Sequence, residues 1–204
     1  MAFPTDKPVG IAILGMNGAG KSTLAHALAK MTGFAEMDVE DYYFPEQRAS
    51  RLHALEHDTV IETEHLGELP FSVPRPKPEV EALLRDAIPA EGGFILAGVT
   101  LNFGADILSR LDLAVLLETP LETRLNRIED RERRRFGDRV LPGGDMHAQQ
   151  AEFREMAAGR DPNAARASAE KLPCPMITLC GTAPVEENIA HILAYFQESK
   201  PLVN

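Results

Sequence analysis

Eight consecutive residues, Gly15-Met16-Asn17-Gly18-Ala19-Gly20-Lys21-Ser22, fit G-x-x-x-x-G-K-[ST] in full, and they restrict the fold more than any other stretch. The pattern describes a loop whose backbone N–H groups wrap the phosphates of a nucleotide. Its lysine reaches the β- and γ-phosphates, and its hydroxyl takes a place on Mg²⁺. Such a loop works between a strand and a helix, because the helix N-terminus itself attracts the anion. Residues 9–14 are apolar and partly β-branched, as a buried parallel strand requires. Residues 22–31 are rich in helix formers and set Leu24, Ala27, Leu28 and Met31 on one face. The pattern therefore predicts a phosphate site built from Gly15, Asn17, Gly18, Ala19, Gly20, Lys21, Ser22 and Thr23.

At 204 residues the chain is expected to be a single domain, 1–204. Its formal net charge of -10, with one short arginine cluster, argues against nucleic acid or an anionic membrane as partner. Residues 1–8 lack the basic end and apolar core of a secretory signal, and no apolar run approaches membrane-spanning length. A cytoplasmic protein, monomer or homodimer, is expected. Cys174 and Cys180 are not spaced as C-x-x-C and have no His/Cys companions, which predicts buried, reduced thiols rather than a zinc site.

Strand and helix patterns alternate along the rest of the chain. Further strands are predicted at 34–38, 92–99, 111–118 and 175–180. Helices are predicted at 78–88, 105–110, from 121 through Arg131 into the cluster Arg133-Arg134-Arg135, and at 146–158, 163–171 and 185–198. The fold expected is three-layer α/β: a five-stranded parallel sheet with helices on both faces. Residues 39–78, polar and proline-punctuated, read as an insertion over the sheet's carboxyl edge, with helix at 47–56 and 61–67. Residues 136–145 break the helical pattern and predict a mobile loop, so that 131–147 forms an arginine-rich lid.

Three features narrow the chemistry. In a doubly wound sheet the strand carboxyl ends line the ligand crevice, and the second strand ends in Asp38-Val39-Glu40-Asp41. Asp38 or Asp41 is placed to take a proton from an attacking hydroxyl, and Asp38 with Ser22 to order Mg²⁺. Arg127 and Arg131, one helical turn apart, can share a face towards transferring phosphates. The third strand ends in Ala97-Gly98, where many phosphate-loop enzymes carry a metal-ordering Asp, which argues against a motor-type or helicase-type ATPase. The insertion supplies Arg48, Arg51 and Arg75, with His53, His57 and His65, and Arg75 sits in the proline-rich turn 72–76, where it can face an anionic acceptor.

On these residues the chain resembles the small-molecule kinases of adenylate-kinase-like fold, including shikimate, gluconate and nucleoside monophosphate kinases. The stretch 33–40 is similar to the "glycine, short strand, D-x-D" of shikimate-type kinases, with Asp38 as the first Asp and Glu40 replacing the second. Asp41-Tyr42-Tyr43 resembles the "D-D-F-Y" of uridine and nicotinamide riboside kinases, so the family's catalytic carboxylate maps to Asp38 or Asp41. Gly98 is the glycine shared at the third-strand end, which the resemblance places at the substrate. Arg160-Asp161-Pro162 looks like the "R-x-P" after the lid, whose arginine faces the substrates. Gly181, Thr182 and Pro184 lie in a turn similar to the one that borders the adenine. The resemblance implies an ATP- and Mg²⁺-dependent kinase acting on a nucleoside, nucleotide or shikimate-like acceptor. The alternative is a nucleotide-dependent hydrolase or switch with no metabolite acceptor.

Overall fold

β1 (Val9–Gly15) is buried at every residue, and the sheet is built around it. In the computed structural model, which describes residues 8–57 and 73–198, it is joined by β2 (Ala35–Asp38), β3 (Gly93–Gly98), β4 (Leu113–Glu118) and β5 (Met176–Cys180). The order is β2-β3-β1-β4-β5 and every pairing is parallel. After β1 the chain places β2 and β3 on one side, then crosses to β4 and β5 on the other. The carboxyl end of β1 therefore opens on the crevice where such folds take ligands. Because side chains alternate along a strand, β1, β3 and β4 feed two cores. Ala12, Leu14, Leu96 and Leu116 lie in one; Ile11, Ile13, Ile95 and Val115 lie in the other.

The helices are α1 (Lys21–Thr32), α2 (Val39–Tyr43), α3 (Arg48–Glu56), α4 (Lys77–Ala87), α5 (Ala105–Leu108), α6 (Leu121–Phe136), α7 (His147–Gly159), α8 (Ala164–Ala169) and α9 (Val185–Glu198). α1 and α9 cover one face, Leu24, Leu28, Ile189 and Ile192 entering its core. α4, α5 and α8 cover the other through Val80, Leu84, Ile107, Ala165 and Ala169. The three-layer α/β architecture is the one expected. No helix among the described residues is long and apolar enough to cross a membrane.

Local differences have local causes. The second helix expected in the insertion, at 61–67, lies outside the described residues, as does His65. Residues 136–145, read as a loop, contain a 3₁₀ turn (Gly137–Val140), and Phe136, Val140 and Met146 form a small apolar cluster of their own. Cys180 is exposed rather than buried, because it ends the edge strand β5; Cys174 is half-buried, and both thiols are free.

Candidate active site

The loop between β1 and α1 turns on Gly18 (φ 79°) and Gly20 (φ 102°), in the left-handed region that favours glycine. At Gly18 space forbids a side chain as well, since a Cβ there would lie 2.3 Å from the Arg124 carbonyl oxygen. The loop's own carbonyls are taken from outside. Arg124 Nη1 donates to Asn17 O (3.2 Å) and Thr119 Oγ1 to Ala19 O (3.1 Å). Arg127 Nη1 donates to Ala19 O (3.3 Å) and to Gly181 O (2.9 Å), tying the loop to the turn after β5. Arg160 Nη1 donates to Asn17 Oδ1 (3.0 Å). The first N–H groups of α1 have no intrahelical acceptor and remain for an anion. Lys21 Nζ donates to Met16 O (3.1 Å). Burial pushes its ammonium down to about 8, with Arg131 and Arg160 adding to the fall and Glu40 and Asp38 opposing it.

The acid of the site stands one strand away from the third-strand position. Asp38 is in register with Ala97, which is itself in register with Ile13 of β1. Asp38 Oδ2 accepts from Ser22 Oγ at 2.5 Å, and Oδ1 caps α2 by accepting from Glu40 N at 3.0 Å. A hydroxyl and a carboxylate at the mouth of a phosphate loop are hard oxygen donors of the kind Mg²⁺ takes together with phosphate, so the residues present fit that ion. Asp41 is engaged elsewhere: Arg51 Nε (2.9 Å) and Nη2 (2.5 Å) donate to its two oxygens. Burial pushes the Asp41 carboxyl up, against the opposing effect of Arg51. Arg51 Nη1 also donates to Glu36 Oε1 (2.8 Å) and lies 4.0 Å from Asp38 Oδ2. Desolvation opposes the Arg51 charge, but the acids around it outweigh that and raise its pKa.

Over the loop lies a cleft of about 320 Å³, floored by residues 18–24 and walled by α3, by α6 and by Gly181 and Ala183. α6 turns Arg127, Asp130, Arg131, Arg134 and Arg135 towards it, the i, i+3, i+4, i+7, i+8 spacing of one helix face. Arg135 is buried, donates to Gln47 Oε1 (2.9 Å) and Ser50 Oγ (2.8 Å) of the insertion, and sits 5.0 Å over the Phe136 ring. Burial pushes it down to about 10. A second cavity of about 270 Å³ lies between α6 and α7, and Glu40, Arg131 and Arg135 line both spaces.

Of the residues singled out from the sequence, Gly18, Ala19, Gly20, Lys21, Ser22, Thr23, Arg127, Arg131 and Gly181 line the cleft. Asn17, Asp38 and Arg160 touch its loop, Gly15 ends β1 beneath it, and exposed Thr182 and Pro184 flank Ala183 on its rim. Four are not brought there. Asp41 is held by Arg51; Arg48 is exposed, 3.9 Å from Asp41. Arg75 pairs with Glu79 (3.2 Å) and donates to Tyr42 O (3.3 Å). Gly98 packs beneath Leu101 and Val39, where a Cβ would meet them at 3.0 and 3.3 Å. Sequence reasoning placed Arg135 on one face with Arg131, missed Arg124 and Arg134 as individual contacts, and gave Glu40 no role of its own. The signal for Glu40 was there, an acid two residues after Asp38. None existed for Arg124, whose partner is a backbone carbonyl more than a hundred residues away in the chain.

Comparison with known proteins gives three findings. Residues 11–149 match the family described as an AAA domain. The protein YqaC of Bacillus subtilis (strain 168), called uncharacterized, is 30% identical over 198 residues, which cover 93% of this chain and 98% of that one. Among solved structures, shikimate kinase from Aquifex aeolicus vf5 is similar with TM-score 0.49 and 19% identity, over 96% of this chain and 100% of that one. A sugar kinase from Janibacter sp. HTCC2649 is similar with TM-score 0.47 and 18% identity, over 94% and 96%. Because the family match runs unbroken from β1 into the first turn of α7 and so takes in the phosphate loop, Asp38 and the arginine face of α6, the chain belongs to the AAA-domain family of P-loop proteins.

Proposed function

We propose that the protein is an ATP-dependent kinase that phosphorylates the hydroxyl of a small metabolite. The observation that carries this reading is the second cavity, which shares Glu40, Arg131 and Arg135 with the cleft over the phosphate loop. A hydrolase needs only room for water beside the γ-phosphate; two spaces meeting at an acid and two arginines suit a donor and an acceptor.

In this reading the phosphates of ATP lie on the loop and the N-terminus of α1, with Lys21 at the β- and γ-phosphates. Ser22 and Asp38 would hold Mg²⁺, which supplies charge neutralisation at those phosphates. The acceptor's hydroxyl oxygen forms a bond to the γ-phosphorus as the bond to the β–γ bridging oxygen breaks, and ADP leaves. Glu40, half-buried where the two spaces meet, takes the hydroxyl proton. Arg131 stabilises charge on the transferring group, and its Nε is buried without a partner among the described residues. Asp41 acts at a distance, through Arg51, on the position of Asp38.

The test is ADP release from Mg²⁺-ATP, with and without nucleosides, nucleoside monophosphates, sugars, sugar acids and shikimate. Release should depend on an added hydroxyl compound and be lost in Lys21→Ala. The same rate with no compound added makes the protein a hydrolase, and full activity in Lys21→Ala removes the loop from the mechanism.

A further inference from the structure

The cavity between α6 and α7 has a chemical character that says what it takes. Its apolar wall is Phe136, Phe153 and Met156. Against that wall stand polar groups with unmet hydrogen-bonding capacity. Arg131 Nε and Glu132 Oε1 are both buried with no hydrogen-bond partner among the described residues, Glu132 being 1% exposed. The Gln150 side chain, 3% exposed, lines the same space, and its amide carries both donor and acceptor atoms. Buried polar atoms left unpaired are costly, so an unpaired donor and an unpaired acceptor beside a cavity that an amide also lines mark where a ligand's hydroxyls belong.

Charge decides which hydroxyl compound. Three carboxylates, Glu40, Glu132 and Glu152, face two guanidinium groups, Arg131 and Arg135. Arg135 is committed to Gln47 and Ser50. Arg154 reaches Glu132 at 2.5 Å but does not line the cavity. Arg131 faces the phosphate loop as well, where its charge is felt by Lys21. Glu132 is thus already paired, Arg135 is held by the insertion and Arg131 is shared with the phosphate loop. No guanidinium pair is set to clamp a carboxylate or phosphate on the acceptor, while Glu40 and Glu152 would repel one. The volume, about 270 Å³, lies just below the range of about 300–1,000 Å³ common for drug-sized ligands.

We propose that the α6–α7 cavity is the acceptor subsite and that it takes an uncharged polyol, cyclic or open-chain, its carbons against Phe153 and Phe136 and its hydroxyls on Gln150, Glu132 and Arg131. The proposal rests on the kinase reading above and narrows its acceptor from any hydroxyl or phosphate compound to a neutral one. It also moves the acceptor away from Arg48 and Arg75.

The experiment compares neutral probes (ribose, ribitol, myo-inositol) with charged ones (shikimate, gluconate, AMP) as accelerators of ADP release, with ATP affinity measured separately by calorimetry. At least one neutral probe should accelerate release tenfold or more, and the charged probes should not. In Gln150→Leu the KM for that neutral probe should rise tenfold or more with the KM for ATP unchanged. Glu152→Lys, at the exposed rim, should narrow the preference for neutral over charged probes at least threefold, and it tests the charge argument even if Gln150→Leu fails to fold. ATP bound and turned over on charged probes alone overturns this proposal and leaves the kinase reading standing. ATP bound with no neutral probe active also overturns it, as does a Gln150→Leu or Glu152→Lys protein with unchanged preferences. Failure to bind ATP overturns both readings.

Discussion

Lys21 is the residue whose surroundings make the sharpest demand. Its ammonium loses hydration in the fold and is pushed down to about 8 from 10.5. A phosphate chain arriving on the loop needs it charged and raises its pKa again. Below pH 8 the lysine is already protonated and ATP binding takes up no proton; above pH 8 binding must draw one from solvent. ATP affinity should therefore be level from pH 6.5 to 7.5 and fall towards pH 9.5, and Lys21→Arg should flatten the profile. Calorimetry in buffers of different ionisation enthalpy checks this, and an unchanged affinity through pH 9.5 would count against it. Arg51 raises a different issue, because it is the counter-charge of two buried or half-buried acids, Asp41 and Glu36. Arg51→Met leaves them without it, which costs about 3–5 kcal/mol, or a fall in Tm of about 10 °C for a chain of this size. Asp38→Asn should instead lower kcat with a much smaller change in Tm, since it touches Ser22 and would meet the metal directly. Equal Tm losses from the two, measured by scanning calorimetry, would refute the division of labour between them.

Among the elements, α6 joins the parts of the site. Its first turns hold the phosphate loop through Arg124 and Arg127, and its last turn holds α3 through Arg135. Glu132 reaches α7 through Arg154. The junction with the loop depends on Gly18, where a side chain would meet the Arg124 carbonyl at 2.3 Å. Gly18→Ala should weaken ATP binding tenfold or more and lower Tm. Gly33 is the control: its φ of 75° is similar, but a Cβ there meets nothing within 4 Å. Gly33→Ala should cost only left-handed backbone strain, about 1–2 kcal/mol, and leave ATP affinity alone. If both substitutions weaken ATP binding equally, packing against α6 is not what shapes the loop. α3 shows why its role was hard to read from the chain. The insertion has little apolar periodicity, and it docks instead by burying polar groups: Arg51, Gln47 and Ser50. A hydrophobic pattern announces itself every two or 3.6 residues, whereas a polar anchor has no period.

For the molecule as a whole, the legible part was whatever short-range pattern dictates. β1, β3 and β4 are apolar runs because both their faces are covered, and the phosphate loop is a contiguous string, so the sheet and the place of the loop between β1 and α1 could be read directly. The pairing of Asp41 with Arg51 and the meeting of Glu40 with Arg131 depend on how distant segments cross, which no local spacing encodes. The two thiols extend this contrast into a practical handle. They bracket β5, Cys174 before its first residue and Cys180 as its last. Burial holds the Cys174 thiol up at about 11, while hydrogen bonds from Thr182 draw the exposed Cys180 thiol down. At pH 7.5 a maleimide dye should give a single adduct by mass spectrometry, on Cys180, and a second adduct on Cys174 at a comparable rate would contradict that assignment. Since Cys180 is followed at once by Gly181, which lines the cleft, the chain carries a built-in attachment point for a fluorophore that reports nucleotide occupancy without an introduced cysteine.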